Sequence, residues 1–148
     1  MGRKKSPSNK PLDSGDSEES PQETLVEYNG KNLKIAILDD DQMFLKIIQK
    51  TTKPLNVDFD LFDDPKMFLR SNDSTNYDAA VIDLHLSNGH NGLDVALSLY
   101  NIPIIIISST VQSQLSQKKW PFTVRGFVHK DQGIVEILNQ TIKLAATN

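Results

Sequence analysis

The chain of 148 residues contains no cysteine, which excludes disulfides, thiolate catalysis and cysteine-ligated zinc. It also lacks any apolar run of the roughly 20 residues that a membrane-spanning helix needs, and its start has no apolar signal-peptide core. The expectation is a cytosolic, cytoplasmic protein with no membrane partner. The opening MGRKKS matches an N-myristoylation pattern, but a match of six residues is read as chance. A formal net charge of −3 leaves no basic field over the domain, so nucleic acid is not an expected partner. From Met1 to Asn32 apolar residues are scarce, and such a segment cannot offset the entropy of ordering itself. Residues 1–32 are therefore read as a disordered leader, basic first and acidic later, in which only TLVEY (Thr24 to Tyr28) could order as a short flap.

The composition changes near residue 33. From there short apolar runs alternate with helical periods, and residues 33–148 are read as one domain. The runs are LKIAIL (33–38), VDFDLF (57–62), AAVID (79–83), IPIIIIS (102–108) and GFVHK (126–130). Between them the pattern predicts helices over Gln42 to Lys53, Pro65 to Arg70 behind an Asp64 N-cap, Gly92 to Tyr100, Val111 to Lys119, and Gln132 to Ala146. In the last, Ile134, Leu138, Ile142 and Ala145 share one face at helical spacing. Strands alternating with helices imply an α/β fold, a parallel sheet covered on both sides. IPIIIIS agrees, because a central parallel strand is buried on both faces.

KIAILDDDQ (34–42) ends the first strand in three consecutive carboxylates. Like charges crowded in partly buried surroundings push one another toward the neutral form, and a divalent cation would offset that cost. In a doubly wound sheet, ligands bind outside the carboxyl ends of the strands. Those ends carry Asp39, Asp40 and Asp41 on the first strand, Asp83 on the third, Ser108 and Ser109 on the fourth and Lys130 on the fifth; Asp63 and Asp64 reach the rim from the second. Acids, a hydroxyl and an ammonium suit phosphoryl transfer. Mg²⁺ takes one or two carboxylates plus waters and phosphate oxygens, a carboxylate can accept phosphate as nucleophile, and Lys130 and Ser108 could spread the charge. Asp41 fits a helix cap instead. No histidine among His85, His90 and His129 stands i, i+4 from another, so zinc is not expected. Trp120 and Phe122 are read as packing groups.

With these residues in order, the chain from about Leu33 to Ala146 resembles the receiver domain of two-component response regulators. ILDDDQ is similar to the acidic-pair motif, YDAAVIDLHLSNGHNG to the phosphoacceptor segment, PIIIISS to the switch-hydroxyl strand and GFVHKD to the aromatic switch and lysine. The resemblance implies a flavodoxin-like (βα)5 fold of strand order 2-1-3-4-5, with Asp83 as phosphoacceptor. It implies Mg²⁺ on Asp39, Asp40, Asp83 and the main-chain carbonyl of His85, and Ser108 and Phe127 as switch residues beside Lys130. The side chains of His85 and Thr110 would tune the lifetime of the phosphoryl group. Partners would be a sensor histidine kinase or phosphotransfer protein and a downstream protein docking on the fourth helix, fifth strand and fifth helix, with homodimerisation on phosphorylation left open. Apart from self-phosphorylation and dephosphorylation it would not be an enzyme.

The sequence departs from the family pattern at Ser87 and Asp131, where relatives usually carry proline, and at the Gly92 loop, one residue longer. Trp120, Pro121 and Phe122 replace a common small-residue turn. Two alternatives stay open: a haloacid-dehalogenase-type phosphatase with Asp39 as nucleophile and Asp41 as acid/base, and a degenerate receiver that binds partners without being phosphorylated.

Overall fold

The computed structural model describes residues 24–87, 89–110 and 120–147. Most of the expected leader and the whole expected helix at 111–119 lie outside these residues. Five strands, β1 (Leu33–Leu38), β2 (Val57–Phe62), β3 (Ala79–Asp83), β4 (Ile104–Ser108) and β5 (Val124–His129), form one parallel sheet in the order β2-β1-β3-β4-β5. This is the flavodoxin-like 2-1-3-4-5 order. The three inner strands carry the aliphatic runs, and every residue of β3 and β4 is buried.

Side chains alternate across the sheet and so sort the core into two layers. Ile35, Ile37, Val81, Ile105, Ile107 and Val128 pack beneath α1 (Gln42–Lys50) and α4 (Ile134–Thr147), which supply Phe44, Leu45, Ile48, Ile137, Leu138 and Ile142. Ala36, Leu38, Ala80, Ile82, Ile104 and Ile106 pack on the other face against Phe68 of α2 (Pro65–Ser74) and Val95 and Ala96 of α3 (Gly92–Leu97). Each fully buried isoleucine contributes roughly 1.5–3 kcal/mol by leaving water.

Helix ends depart from the expected ranges for local reasons. α1 stops at Lys50 because Thr51 turns extended, with its Oγ1 donating to the Ile47 carbonyl at 2.8 Å. α2 runs on to Ser74 through SNDS, a polar stretch with no apolar period to announce it. α3 ends at Leu97 instead of Tyr100, the Ser98 N–H folding back onto the carbonyls of Val95 and Ala96. α4 begins at Ile134 because Gly133, at φ 93°, breaks it from a single 3-10 turn over Lys130–Gln132. Asp64 does stand at the N-cap of α2 with Pro65 at the first position, yet its side chain makes no capping bond.

The stretch before β1 lies against the domain. Leu25, Val26 and Tyr28 pack on the α1/α4 core layer. Asn139 of α4 reads this segment's main chain twice: its Oδ1 accepts from the Val26 N–H at 2.7 Å and its Nδ2 donates to the Thr24 carbonyl at 3.4 Å. Farther along, Asn56 Nδ2 donates to the Gly30 carbonyl at 2.6 Å. Asn139→Ala is expected to lower stability by about 1 kcal/mol and to speed hydrogen exchange at the Val26 amide severalfold, read by amide exchange and urea unfolding.

Candidate functional site

Sheet geometry decides which strand tips meet. Leu38 pairs with Ile82, so Asp39 and Asp83 are neighbours one step further on and, by alternation, face the α1/α4 side. Lys130 reaches the same side only through an irregularity in β5. There Ile104 pairs with Val124 but Ile105 pairs with Gly126, leaving Arg125 as an extra residue. That bulge turns Phe127 toward the α2/α3 layer and Val128 toward the α1/α4 layer, so the following residue but one, Lys130, points back over the acids.

The result is a compact charged cluster. Carboxylate oxygens of Asp39, Asp40 and Asp83 lie within 4.8 Å of one another. Lys130 Nζ sits 2.7 Å from Asp39 Oδ2 and 3.6 Å from Asp83 Oδ2, with the Phe44 ring centroid 4.9 Å away as a cation-π seat. Asp39 Oδ2 is buried, and although paired with Lys130 it receives no well-directed hydrogen bond. Its Oδ1 accepts from the Asp41 N–H at 2.9 Å. Asp41 itself caps α1, taking the N–H groups of Met43 and Phe44 at 3.0 and 3.3 Å. Asp40 Oδ2 accepts the Ser87 N–H at 2.7 Å, a donor that a proline there would lack.

Titration follows from these contacts. Burial, and then the charge of Asp39, push the Asp83 carboxyl up to about 7, against the pull of Lys130. Asp40 is held below the ordinary carboxylate value by its Ser87 hydrogen bonds, which outweigh the effect of burial. Burial alone would lower the Lys130 ammonium, but pairing with Asp39 and then the charge of Asp83 raises it. Three carboxylates within 4.8 Å sharing a single ammonium form an oxygen donor set that fits a hard, oxygen-seeking cation.

The remaining candidates surround this cluster. Ser108 is fully buried and its Oγ accepts the Thr110 N–H at 2.9 Å. His85 is exposed, its Nε2 3.0 Å from Thr110 Oγ1, and its N–H is 3.4 Å from Asp83 Oδ1. Phe127 is half-buried, its ring 6.1 Å from that of Trp120. Phe122, read from sequence as a packing group, is 79% exposed, because the turn before β5 packs Trp120 inward and leaves Phe122 outside. Asp63 holds Gln42 Nε2 at 2.7 Å, away from the trio. The Lys130–Asp131 peptide is trans, with no cis bond among the described residues. Phe44, Ser87 and His129 contribute contacts that sequence did not announce: Phe44 reads as an ordinary core position of α1, and the other two act through main-chain partners.

Gly92 closes the site from below. Its N–H donates to the Leu84 carbonyl at 2.8 Å, and a Cβ at this position would overlap the Asp83 carbonyl oxygen. A cleft of about 660 Å³ between Thr24–Asn29 and Thr52–Asn56 lies apart from this cluster, on the segments that lead into β1 and β2.

Two outcomes are expected here. A carboxyl whose folded pKa is raised from 3.8 to about 7 destabilises the fold when ionised: the cost is absent below the lower value, grows between the two, and is complete above the upper one. Asp83→Asn should therefore raise Tm by roughly 5 °C at pH 8 without divalent cations, with the gain shrinking toward pH 5 in calorimetry. Gly92→Ala should cost about 1–3 kcal/mol in urea unfolding through forced displacement at the Asp83 backbone.

Comparison with known proteins agrees with this geometry. No curated protein matches the sequence. Among solved structures, the Francisella response regulator 1452 receiver domain aligns with a TM-score of 0.63 at 21% identity, covering 78% of this chain and 98% of that one. The signal receiver domain of an HD domain-containing protein from Pseudomonas fluorescens Pf-5 aligns at 0.64 and 15%, covering 80% and 100%. Response regulator protein TrrA from Thermotoga maritima, solved with Mg²⁺ and BeF, aligns at 0.59 and 20%, covering 76% and 98%. The family model for the response regulator receiver domain matches residues 35–142, and the chain belongs to that family of two-component signalling modules.

Proposed function

We propose that the protein is a phosphorylation-controlled switch in which Asp83 takes a phosphoryl group from the phosphohistidine of a sensor histidine kinase or phosphotransfer protein. The observation that carries this reading is the acidic trio within 4.8 Å, flanked by one ammonium, on a sheet edge where Asp83 is the more reachable of the two buried acids. The Asp83 side chain keeps 7% of its surface open, whereas that of Asp39 has none and is tied to Lys130. This difference, with the family membership, favours Asp83 over Asp39 as nucleophile and so favours a receiver over a phosphatase of the haloacid-dehalogenase type.

Asp39, Asp40, Asp83 and the His85 main-chain carbonyl would hold Mg²⁺. When bound, the ion supplies positive charge that offsets the acids' mutual repulsion and spreads the charge of the transferring group. An Asp83 carboxylate oxygen forms the new O–P bond as the N–P bond of the phosphoimidazole breaks, and the departing ring nitrogen keeps the electron pair. Lys130, already 3.6 Å from Asp83, would move onto a phosphoryl oxygen. Ser108 would exchange its role as acceptor of the Thr110 N–H for donation to another, and His85 and Thr110 would gate the approach of hydrolytic water.

The added group carries up to about two negative charges. Ser108 moving toward it would vacate room for Phe127 to turn inward from Trp120, changing the face made by β5 and α4. A downstream protein would read that face, or a second copy would. Moving a nearly all-inactive population to nearly all-active takes on the order of 5 kcal/mol. Residues 33–148 form the receiver unit and residues 1–32 its leader, working in the cytoplasm with no nucleic-acid or membrane contact.

Incubation with acetyl phosphate and Mg²⁺, followed by peptide mapping, is expected to place one phosphoryl group on Asp83, and Asp83→Asn or EDTA should abolish it. Label on Asp39 would establish the phosphatase-like alternative, and no label from either acetyl phosphate or a phosphorylated histidine kinase would leave a degenerate receiver.

A further inference from the structure

Lys130 is the first residue beyond β5 and belongs to a single 3-10 turn, Lys130–Gln132. So short a turn contains little of its own hydrogen bonding. Its C-terminal end is closed by the Gly133 N–H donating to the Lys130 carbonyl at 3.1 Å, with Gly133 at φ 93°. Its N-terminal end is closed by a side chain: His129 stands at the N-cap, and its Nδ1 accepts the Asp131 N–H at 3.1 Å. The same nitrogen lies 3.5 Å from Asp131 Oδ2, but an imidazole nitrogen that accepts from an amide carries no proton. The capping geometry therefore selects the neutral tautomer with hydrogen on Nε2.

His129 is anchored in turn by its place opposite Ser108 in the β4–β5 register, and its side chain is only 23% exposed. It thus connects a fixed strand to the turn that aims the ammonium at Asp39 and Asp83 across the Phe44 ring.

We propose that His129 is a positioning residue for Lys130, its unprotonated Nδ1 fixing the turn from which the ammonium reaches the site. This rests on the role given above to Lys130 in phosphoryl transfer. The residue types offer a direct test, because Oδ1 of asparagine stands at the same bond distance from the backbone as Nδ1 of histidine and is a good cap acceptor. Phenylalanine keeps a flat ring and loses the acceptor.

In the full chain, ¹⁵N NMR at pH 8 should find His129 as the Nε2–H tautomer. The Lys130 ammonium signal, set apart by its pairing with Asp39, should persist in His129→Asn and move toward those of exposed lysines in His129→Phe. With acetyl phosphate and Mg²⁺, His129→Phe should phosphorylate about tenfold more slowly, since small misplacements at a reacting centre have effects of this order or larger. His129→Asn should stay within about twofold of wild type, with Mg²⁺ affinity near wild type in both variants and Tm near wild type in the Asn variant. An Nδ1–H tautomer, an unmoved Lys130 signal in the Phe variant, equal slowing in both variants, or Mg²⁺ affinity falling in step with rate would each overturn the proposal. If His129→Phe fails to fold, the tautomer and the Asn variant decide it. If wild type accepts no phosphoryl group while the tautomer and the lysine signals are as described, the functional reading fails and the positioning role stands.

Discussion

The arrangement depends on one ammonium group among three carboxylates. Asp39, with no exposed side-chain surface, is met by Lys130 at 2.7 Å on one oxygen and by the Asp41 N–H at 2.9 Å on the other. Asp83, a little farther at 3.6 Å and less well paired, bears the residual strain as a pKa of about 7. Such buried pairing is weak evidence for stability, since desolvating the charges costs as much as their attraction returns. Its physical meaning is a site with more acids than ammonium groups, held by a frame stiff enough to keep like charges together.

That frame is the parallel sheet, and its alternation does the sorting. Asp39 and Asp83 face one side because their strands pair in register at Leu38 and Ile82. The extra residue Arg125 in β5 reverses the alternation on an edge strand, so that Phe127 falls on the α2/α3 side and Lys130 on the side of the acids. A bulge on an edge strand disturbs only one neighbour, which is why such a correction can be made there and not in β3 or β4.

Around this rigid centre the attachments are lighter. α3 has six residues and meets β3 so closely at Gly92 that no side chain fits there. Phe127 and Trp120 are half-buried, and Phe122 stands in solvent beside them. The segment before β1 is held by amide side chains, Asn139 and Asn56, and by a few apolar contacts, in keeping with a region whose local stability is lower than that of the core. The charged strand tips thus sit on the stiffest part of the molecule, and the surfaces bordering them are more lightly held.

Much of this could be read directly from the residues. LKIAIL, VDFDLF and AAVID give strand limits to the residue, because apolar runs bounded by charge and turn residues leave little choice, and their alternation with helices implies a parallel sheet. The polar tips of the first and third runs name the acids, and the end of GFVHK names the lysine. Helix ends were less legible: the extension of α2 through Ser71 to Ser74 has no apolar period, and the break before α4 depends on the left-handed Gly133. Sequence also could not tell Trp120, packed on Phe127, from the exposed Phe122. Which tips converge, and at what distance, was decided only by the three-dimensional fold. Pairing register, the Arg125 bulge, the Phe44 seat and the His129 cap join residues far apart in the chain or act through backbone groups, and neither leaves a local trace in composition or periodicity.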